Sequence, residues 1–95
     1  MMTQFVKYIA KPGKAHAFVE EVERAGIGAK IRAEKGCLKY DYYYPAKDKD
    51  TVLLIEQWEQ AEDQDMHLTQ PHMETLREIK SRCISDTIFG EGALK

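Results

Sequence analysis

Apolar and polar positions follow two different periods along the chain, and each change of period predicts a new element. Residues 3–10 are rich in strand formers and end at a Lys-Pro-Gly-Lys break, so they predict a first strand. From residue 15 to 25 the apolar side chains follow three-and-four spacing, which predicts an amphipathic helix. Two glycines weaken the helix beyond that point, and a last helical stretch is expected up to Ala33, before Gly36.

A second strand is predicted over residues 37–44, where side chains alternate between two faces. One face of this strand is expected to carry four residues, Leu38, Tyr40, Tyr42 and Tyr44. The polar loop 45–50 leads to a third strand, 51–58, which is apolar on both faces at its start. The two strands therefore predict a hairpin.

The rest of the chain predicts two helices and a fourth strand. Residues 59–68 predict a short helix with acidic side chains near its start, as the helix dipole favours. A further helix begins at Pro71, because the missing amide hydrogen costs nothing in a first turn. Residues 84–89 predict the last strand, and a loose tail is expected from Gly90.

This βαββαβ order predicts an α+β, ferredoxin-like fold with an antiparallel sheet, in a single domain over residues 1–95. Right-handed crossovers place the strands in the order 4-1-3-2, with helices on one face only. Cys37 and Cys83 then lie at opposite edges of the sheet, roughly 14 Å apart. A disulfide between them is not expected, because its Cα atoms must lie within about 7 Å.

The face of the sheet without helices is expected to be apolar. Several large side chains would meet water there in a single copy of the chain, some of them from Phe5, Ile9, Leu53, Ile55 and the tyrosines. Covering a few such side chains contributes several kcal/mol at ~25 cal/mol per Å². The pattern predicts a homodimer that stacks through its sheet faces and thereby encloses the ligand chambers. The alternative is a monomer whose tyrosines tolerate water.

Composition narrows the classes of partner. The 95 residues are 43% hydrophobic and 32% charged, with a formal net charge of −2. Such a surface has no electrostatic attraction for phosphate backbones or anionic lipid, so neither nucleic acid nor a membrane is expected as a partner. The start of the chain lacks the basic and apolar regions of a secretory signal, and the expected location is the cytoplasm.

Two histidines are candidates for proton transfer, because the imidazole pKa lies near working pH. On an unbroken helix the rings of His67 and His72 would point about 140° apart. A break before Pro71 would turn both rings toward one cleft. The alternatives are a half-buried His67 bonded to backbone and a surface His72. No metal is expected, because His16 lies on another helix and further ligands lack matching spacing.

Trp58, the single tryptophan, is typical of core packing or of a wall against a flat aromatic ligand. Glu56 shares its strand face and needs a partner, either Lys39 or Lys7, unless it borders a cavity. Two tyrosines of the second strand are candidates for substrate contact, although their run is more typical of sheet packing: Tyr40 and Tyr42. The sequence has no Gly-rich phosphate loop or dinucleotide fingerprint, which disfavours ordinary flavin and nicotinamide enzymes.

Four stretches together resemble the antibiotic biosynthesis monooxygenase (ABM) domain family. They read A-K-P-G-K from residue 10, E-K-G-C-L-K-Y-D from residue 34, I-E-Q-W-E from residue 55 and H-L-T-Q-P-H-M from residue 67. The second half is most similar to bacterial quinol monooxygenase-like members. The resemblance implies a dimeric α+β barrel and oxidation of a small electron-rich aromatic, such as a quinol, with no metal or flavin cofactor.

On matching positions, the resemblance implies His67 as proton acceptor and Trp58 as pocket wall. It also implies that His72 is either an orienting partner in the site or a helix cap at the surface. Glu56 is then expected to hold one of these three side chains in place. Gln70 departs from the family pattern, in which Ser or Thr often precedes the proline. The chain has no asparagine, which disfavours the haem degradation of some relatives.

Two other functions stay open at this stage. The first is an isomerase of a small phosphorylated carbonyl compound, for which Lys7, Lys39 or Lys80 would supply cations. The second is a non-catalytic dimer that binds a small molecule.

Overall fold

Four strands and four helices make up the part of the chain that the computed structural model describes, residues 1–91. In chain order they are β1 (Met2–Ala10), α1 (Ala15–Arg24), α2 (Ile27–Arg32), β2 (Cys37–Tyr43), β3 (Thr51–Trp58), α3 (Ala61–His67), α4 (His72–Cys83) and β4 (Ile84–Glu91).

The four strands form one antiparallel sheet in the order β2-β3-β1-β4. This is the predicted order read from the other edge, and it confirms the ferredoxin-like α+β fold. Strand β4 is longer than predicted, because Gly90 and Glu91 pair with β1 rather than opening a loose tail. The remainder of the predicted tail, from Gly92, lies outside the described residues.

Both helical regions of the chain consist of two helices, and the break in the second region was predicted. Gly26 separates α1 from α2 with a φ of 73°, a left-handed conformation that glycine adopts at little cost. A turn over residues 68–71 separates α3 from α4, as the rule for the residue before proline predicts. The second break matters for the site, because α3 ends at a histidine and α4 begins at one.

Strand β2 contains an irregularity that the sequence pattern did not reveal. Its register against β3 shifts between Cys37 and Lys39, so that Leu38 is an extra residue. The prediction that Leu38 shares a face with Tyr40 is therefore wrong. Leu38 is 50% exposed, whereas Tyr40 is 2% exposed and faces the helices. Tyr44, predicted on the same face, follows the end of the strand and is exposed.

The core lies between the sheet and the helices. Strand side chains that alternate toward the helices are buried there, and we call this side the inner face: Val6, Tyr8, Tyr40, Val52, Leu54 and Trp58. The helices contribute Phe18, Val22, Ile27, Ile31, Met73, Leu76 and Ile79. The slab is thin, with principal extents of 35 × 32 × 17 Å.

The opposite side of the sheet, here called the outer face, carries no helix in the described part of the chain. Phe5, Ile9, Leu53 and Ile55 lie on it and are only half-buried, and Ile88 is 49% exposed. The predicted apolar side chains of the second face are therefore present on the single chain.

Both cysteines are free, as predicted from their places at opposite edges of the sheet. Among residues 1–91, we find no helix with the length and apolar character needed to cross a membrane.

Candidate active site

A cavity of about 190 Å³ lies between the inner face of the sheet and helices α3 and α4. Its lining residues come from all four strands and both helices: Gln4, Val6, Tyr8, Tyr40, Glu56, Gln64, His67, Leu68, Met73, Leu76, Lys80 and Phe89. One chain builds this cavity, on the inner face of the sheet. It is therefore distinct from the chambers expected between two stacked sheets, which stay a prediction.

Glu56 and Trp58 form a buried pair at the end of β3. Their two-residue spacing directs both side chains to the inner face, as predicted. The Trp58 indole Nε1 donates to Glu56 Oε1 over 2.9 Å. Burial raises the pKa of the Glu56 carboxyl, and the hydrogen bond from Trp58 opposes that shift.

The expected lysine partners of Glu56 lie elsewhere. Lys39 Nζ pairs with Asp41 Oδ2 at 3.1 Å, and Lys7 is exposed. The other expectation for Glu56, that it borders a cavity, matches the structure.

Trp58 does not line the cavity. Its side chain is fully buried, and its ring centroid lies 4.8 Å from that of His67 at an interplanar angle of 36°. Trp58 therefore packs against His67 and donates a hydrogen bond to Glu56 without lining the cavity. The resemblance implies instead that it forms the pocket wall.

The carboxylate of Glu34 joins the two histidines. His67 Nδ1 lies 3.0 Å from Glu34 Oε1, and His72 Nε2 lies 2.7 Å from Glu34 Oε2. His67 is 2% exposed and lines the cavity, whereas His72 is 14% exposed and does not line it. Both histidines thus contact the carboxylate of Glu34, a residue that the sequence analysis did not identify as a candidate.

The break between α3 and α4 produces this convergence. His67 is the last residue of α3 and His72 the first of α4, so the intervening turn brings both rings to the same side. Among the described residues, no group of three or more His, Cys, Asp or Glu side chains is arranged to hold a metal ion.

Gly36 fixes the chain beside Glu34. Its φ of 80° reverses the backbone after α2, and its carbonyl accepts a 2.8 Å hydrogen bond from the amide of Glu59. A side chain on Gly36 would overlap the carboxyl group of Asp63. The E-K-G part of the second family-like stretch therefore holds Glu34 next to α3, a signal that could have identified this residue.

The carboxylate sets the hydrogen-bonding state of His67. An ionised Glu34 accepts from the Nδ1–H of His67, which leaves Nε2 as the unprotonated nitrogen of the neutral ring. Nε2 has no hydrogen-bond partner among the described residues. This arrangement of base and orienting carboxylate suits removal of a proton from a ligand in the cavity.

Two tyrosines of the inner face line the cavity, and a third does not. Burial raises the pKa of Tyr8 and of Tyr40 well above the ordinary value, so both hydroxyls stay protonated and able to donate. Tyr42, a predicted substrate contact, instead packs its ring edge-on against Phe18 and Tyr40. Its hydroxyl is buried without a hydrogen-bond partner among the described residues.

The sequence analysis also did not identify several residues that line the cavity. Tyr8, Gln4 and Gln64 were not singled out, and Lys80 was considered only as a cation for another activity. The amide Nε2 of Gln64 donates to Gln4 Oε1 over 3.2 Å, which links α3 to β1 beside the cavity.

Comparison with known proteins gives a family match over most of the chain. The family model for antibiotic biosynthesis monooxygenase matches residues 1–79. These residues include every titratable group of the cavity except Lys80. No curated protein matches the chain.

Solved structures share the fold over nearly the full chain. PA3566 of Pseudomonas aeruginosa has 26% identity and a TM-score of 0.81, covering 99% of this chain and 93% of that one. A conserved protein of Methanosarcina mazei Go1 has 21% identity and a TM-score of 0.83, covering 99% and 92%. A structure described as an antibiotic biosynthesis monooxygenase has 23% identity and a TM-score of 0.81, covering 100% and 99%.

Proposed function

Because the chain belongs to the antibiotic biosynthesis monooxygenase family, we propose that it is a monooxygenase that oxidises a quinol or related electron-rich aromatic with dioxygen. The substrate itself supplies the electrons, so no resident metal or flavin takes part. One observation carries the proposal within the family: His67 lines the cavity while Glu34 holds its Nδ1.

The first step is removal of a hydroxyl proton from the bound quinol. Nε2 of His67 accepts the proton, and the carboxylate of Glu34 stabilises the imidazolium that forms. His72 donates to the other oxygen of the same carboxylate and keeps it in place. Trp58 packs against the ring of His67 and limits its movement.

The second step joins the quinolate to dioxygen. A ring carbon next to the ionised oxygen passes an electron to dioxygen and then bonds to it, giving a hydroperoxide with a proton from His67. The hydroperoxide loses water to leave a carbonyl, which tautomerises to the hydroxyquinone. One quinol and one dioxygen thus give one hydroxyquinone and one water. Val6, Met73 and Leu76 give the cavity an apolar lining that suits the uncharged part of an aromatic ring.

The size and charge of the cavity favour a small aromatic. Its volume of about 190 Å³ is below that of an ordinary drug-sized site, roughly 300 Å³ or more. Lys80 is the one lysine among its lining residues. A doubly charged phosphate ester, the substrate class of the isomerase alternative, would need more cationic side chains around it than this one lysine.

Oxygen uptake with a reduced naphthoquinone tests the proposal. We expect uptake that is proportional to protein and saturable in quinol, after subtraction of quinol autoxidation without protein. Labelled dioxygen should place one labelled oxygen in the hydroxyquinone. Saturable binding of the quinol without oxygen uptake would contradict the proposal and favour a non-catalytic binding protein.

We also propose that two copies associate through their outer faces. Phe5, Leu53, Ile55 and Ile88 leave a partly exposed apolar patch there, next to Lys7, and association of two copies would bury it. Removing it from water stabilises the pair by roughly 25 cal/mol per Å² of apolar surface before the entropic cost of association.

Gel filtration with light scattering tests the dimer. The expected mass is twice the 11.0 kDa of the chain at micromolar concentration. Ile55→Lys places a charge at the centre of the outer face and is expected to give the monomer mass. The matched control Met66→Lys changes an exposed residue on α3 and should leave the dimer intact. A monomeric wild-type protein would refute this association.

A further inference from the structure

Lys80 holds a positive charge at the cavity without an anionic partner. Its side chain lies on α4, is half-buried and lines the cavity. Its Nζ lies 5.3 Å from the ring centroid of Tyr8. No carboxylate among the described residues lies within salt-bridge distance of it. Lysines are rarely buried without a partner, because the desolvated ammonium then loses hydration without compensation.

The groups around Lys80 explain why its charge is free for a ligand. Burial lowers the pKa of Lys80, the nearby Arg77 guanidinium lowers it further, and the Glu56 carboxylate opposes both. Glu56 uses one oxygen to accept from Trp58 and makes no ion pair with Lys80. His67 on α3 also lines the cavity, with its Nδ1 committed to Glu34.

We propose that Lys80 binds the oxyanion of the ligand and so restricts the cavity to aromatics with an ionisable phenolic or enolic hydroxyl. The ammonium donates to the phenolate oxygen, whereas Tyr8 and Tyr40 supply neutral hydroxyl donors nearby. His67 takes the proton that the hydroxyl loses, and Lys80 keeps its own. The inference deepens the proposed function, on which its role in turnover rests, but its role in binding can be measured separately.

A pair of nitroaromatic probes of nearly equal shape tests the inference. 4-Nitrophenol at mildly alkaline pH is a coloured phenolate, and 4-nitroanisole is its uncharged methyl ether. We expect the wild-type protein to bind the phenolate about tenfold more tightly than the ether, as one charge-assisted hydrogen bond would provide. Binding is followed by the shift of the phenolate absorption band and by calorimetry. Equal affinity for the two probes would overturn the proposal without any variant.

Variants then assign the preference to Lys80. Lys80→Gln should weaken nitrophenolate binding about tenfold and change nitroanisole binding by less than twofold. Lys80→Arg keeps a cation and should retain most of the preference. The control Lys47→Gln removes an exposed lysine of the loop 45–50, outside the cavity, and should change neither affinity. Equal weakening of both probes in Lys80→Gln would show a merely structural lysine and overturn the inference.

Oxygen uptake by the wild-type protein separates this inference from the proposed function. A phenolate preference without quinol-dependent uptake supports the anion site and contradicts the monooxygenase. Uptake without a phenolate preference supports the monooxygenase and overturns the role of Lys80.

Discussion

Replacing His67 with glutamine is expected to lower turnover of the quinol by roughly 10²- to 10⁴-fold, the usual contribution of a positioned general base. Glutamine can still contact Glu34, so the cavity keeps its shape, but it cannot accept the proton. The measurement is oxygen uptake at saturating quinol, corrected for autoxidation. The loss should fall on kcat, because the base acts in the transition state.

Three further variants distinguish proton transfer from damage to the fold. His16→Gln changes an exposed histidine that stacks on Tyr44 away from the cavity, and should leave kcat unchanged. Glu34→Gln removes the orienting charge and should lower kcat about tenfold, less than loss of the base itself. His67→Gly leaves room for exogenous imidazole, which should restore part of the turnover.

The assignment of His67 fails if the glutamine variant keeps most of the wild-type kcat. Failure of imidazole to restore turnover in a correctly folded His67→Gly protein would also contradict it. In either case the proton would have to go to another group of the cavity, and Glu56 would be the next candidate to test.

Replacing Trp58 with alanine is expected to lower the free energy of unfolding by about 3–5 kcal/mol, as for other large aromatic side chains in a core. The indole is fully buried at the end of β3, and its removal leaves a cavity beneath Glu56 and His67. It also removes the donor to Glu56, so that a buried carboxyl loses its partner. Urea unfolding followed by circular dichroism measures the change.

A phenylalanine variant separates the two causes. Trp58→Phe keeps most of the packing but removes the Nε1–H, and should cost about 1–3 kcal/mol from the unpaired Glu56. The control Met66→Ala truncates an exposed side chain and should change stability by no more than about 0.5 kcal/mol. A Trp58→Ala protein as stable as Met66→Ala would contradict the structural role of the indole.

Residue spacing in the sequence predicts part of the candidate site. His67 and His72 could be predicted to converge, because the proline between them breaks the helix and changes the direction of the second ring. The residue that both histidines contact could not be predicted in this way. Glu34 lies 33 and 38 residues away from them in the chain, and only the turn at Gly36 places its carboxylate between α3 and α4.

Face assignments succeeded where the strands are regular. On β3 the two-residue period placed Glu56 and Trp58 on the inner face, and the structure confirms that placement. On β2 the same rule was wrong for Leu38, because one extra residue in the register shifts the alternation. A bulge depends on pairing with the neighbouring strand, so the period of a single strand does not reveal it.

The order of the elements, the antiparallel sheet, the free cysteines and the apolar outer face could all be derived from the sequence, because local periodicity and short connections leave few alternatives. The position of the cavity on the helix side, the place of Trp58 outside its lining and the approach of Lys80 and Tyr8 to it became visible only in the folded chain. These outcomes depend on how α3 and α4 pack across the sheet. That packing is a sum over contacts between residues far apart in the chain, which no local pattern contains.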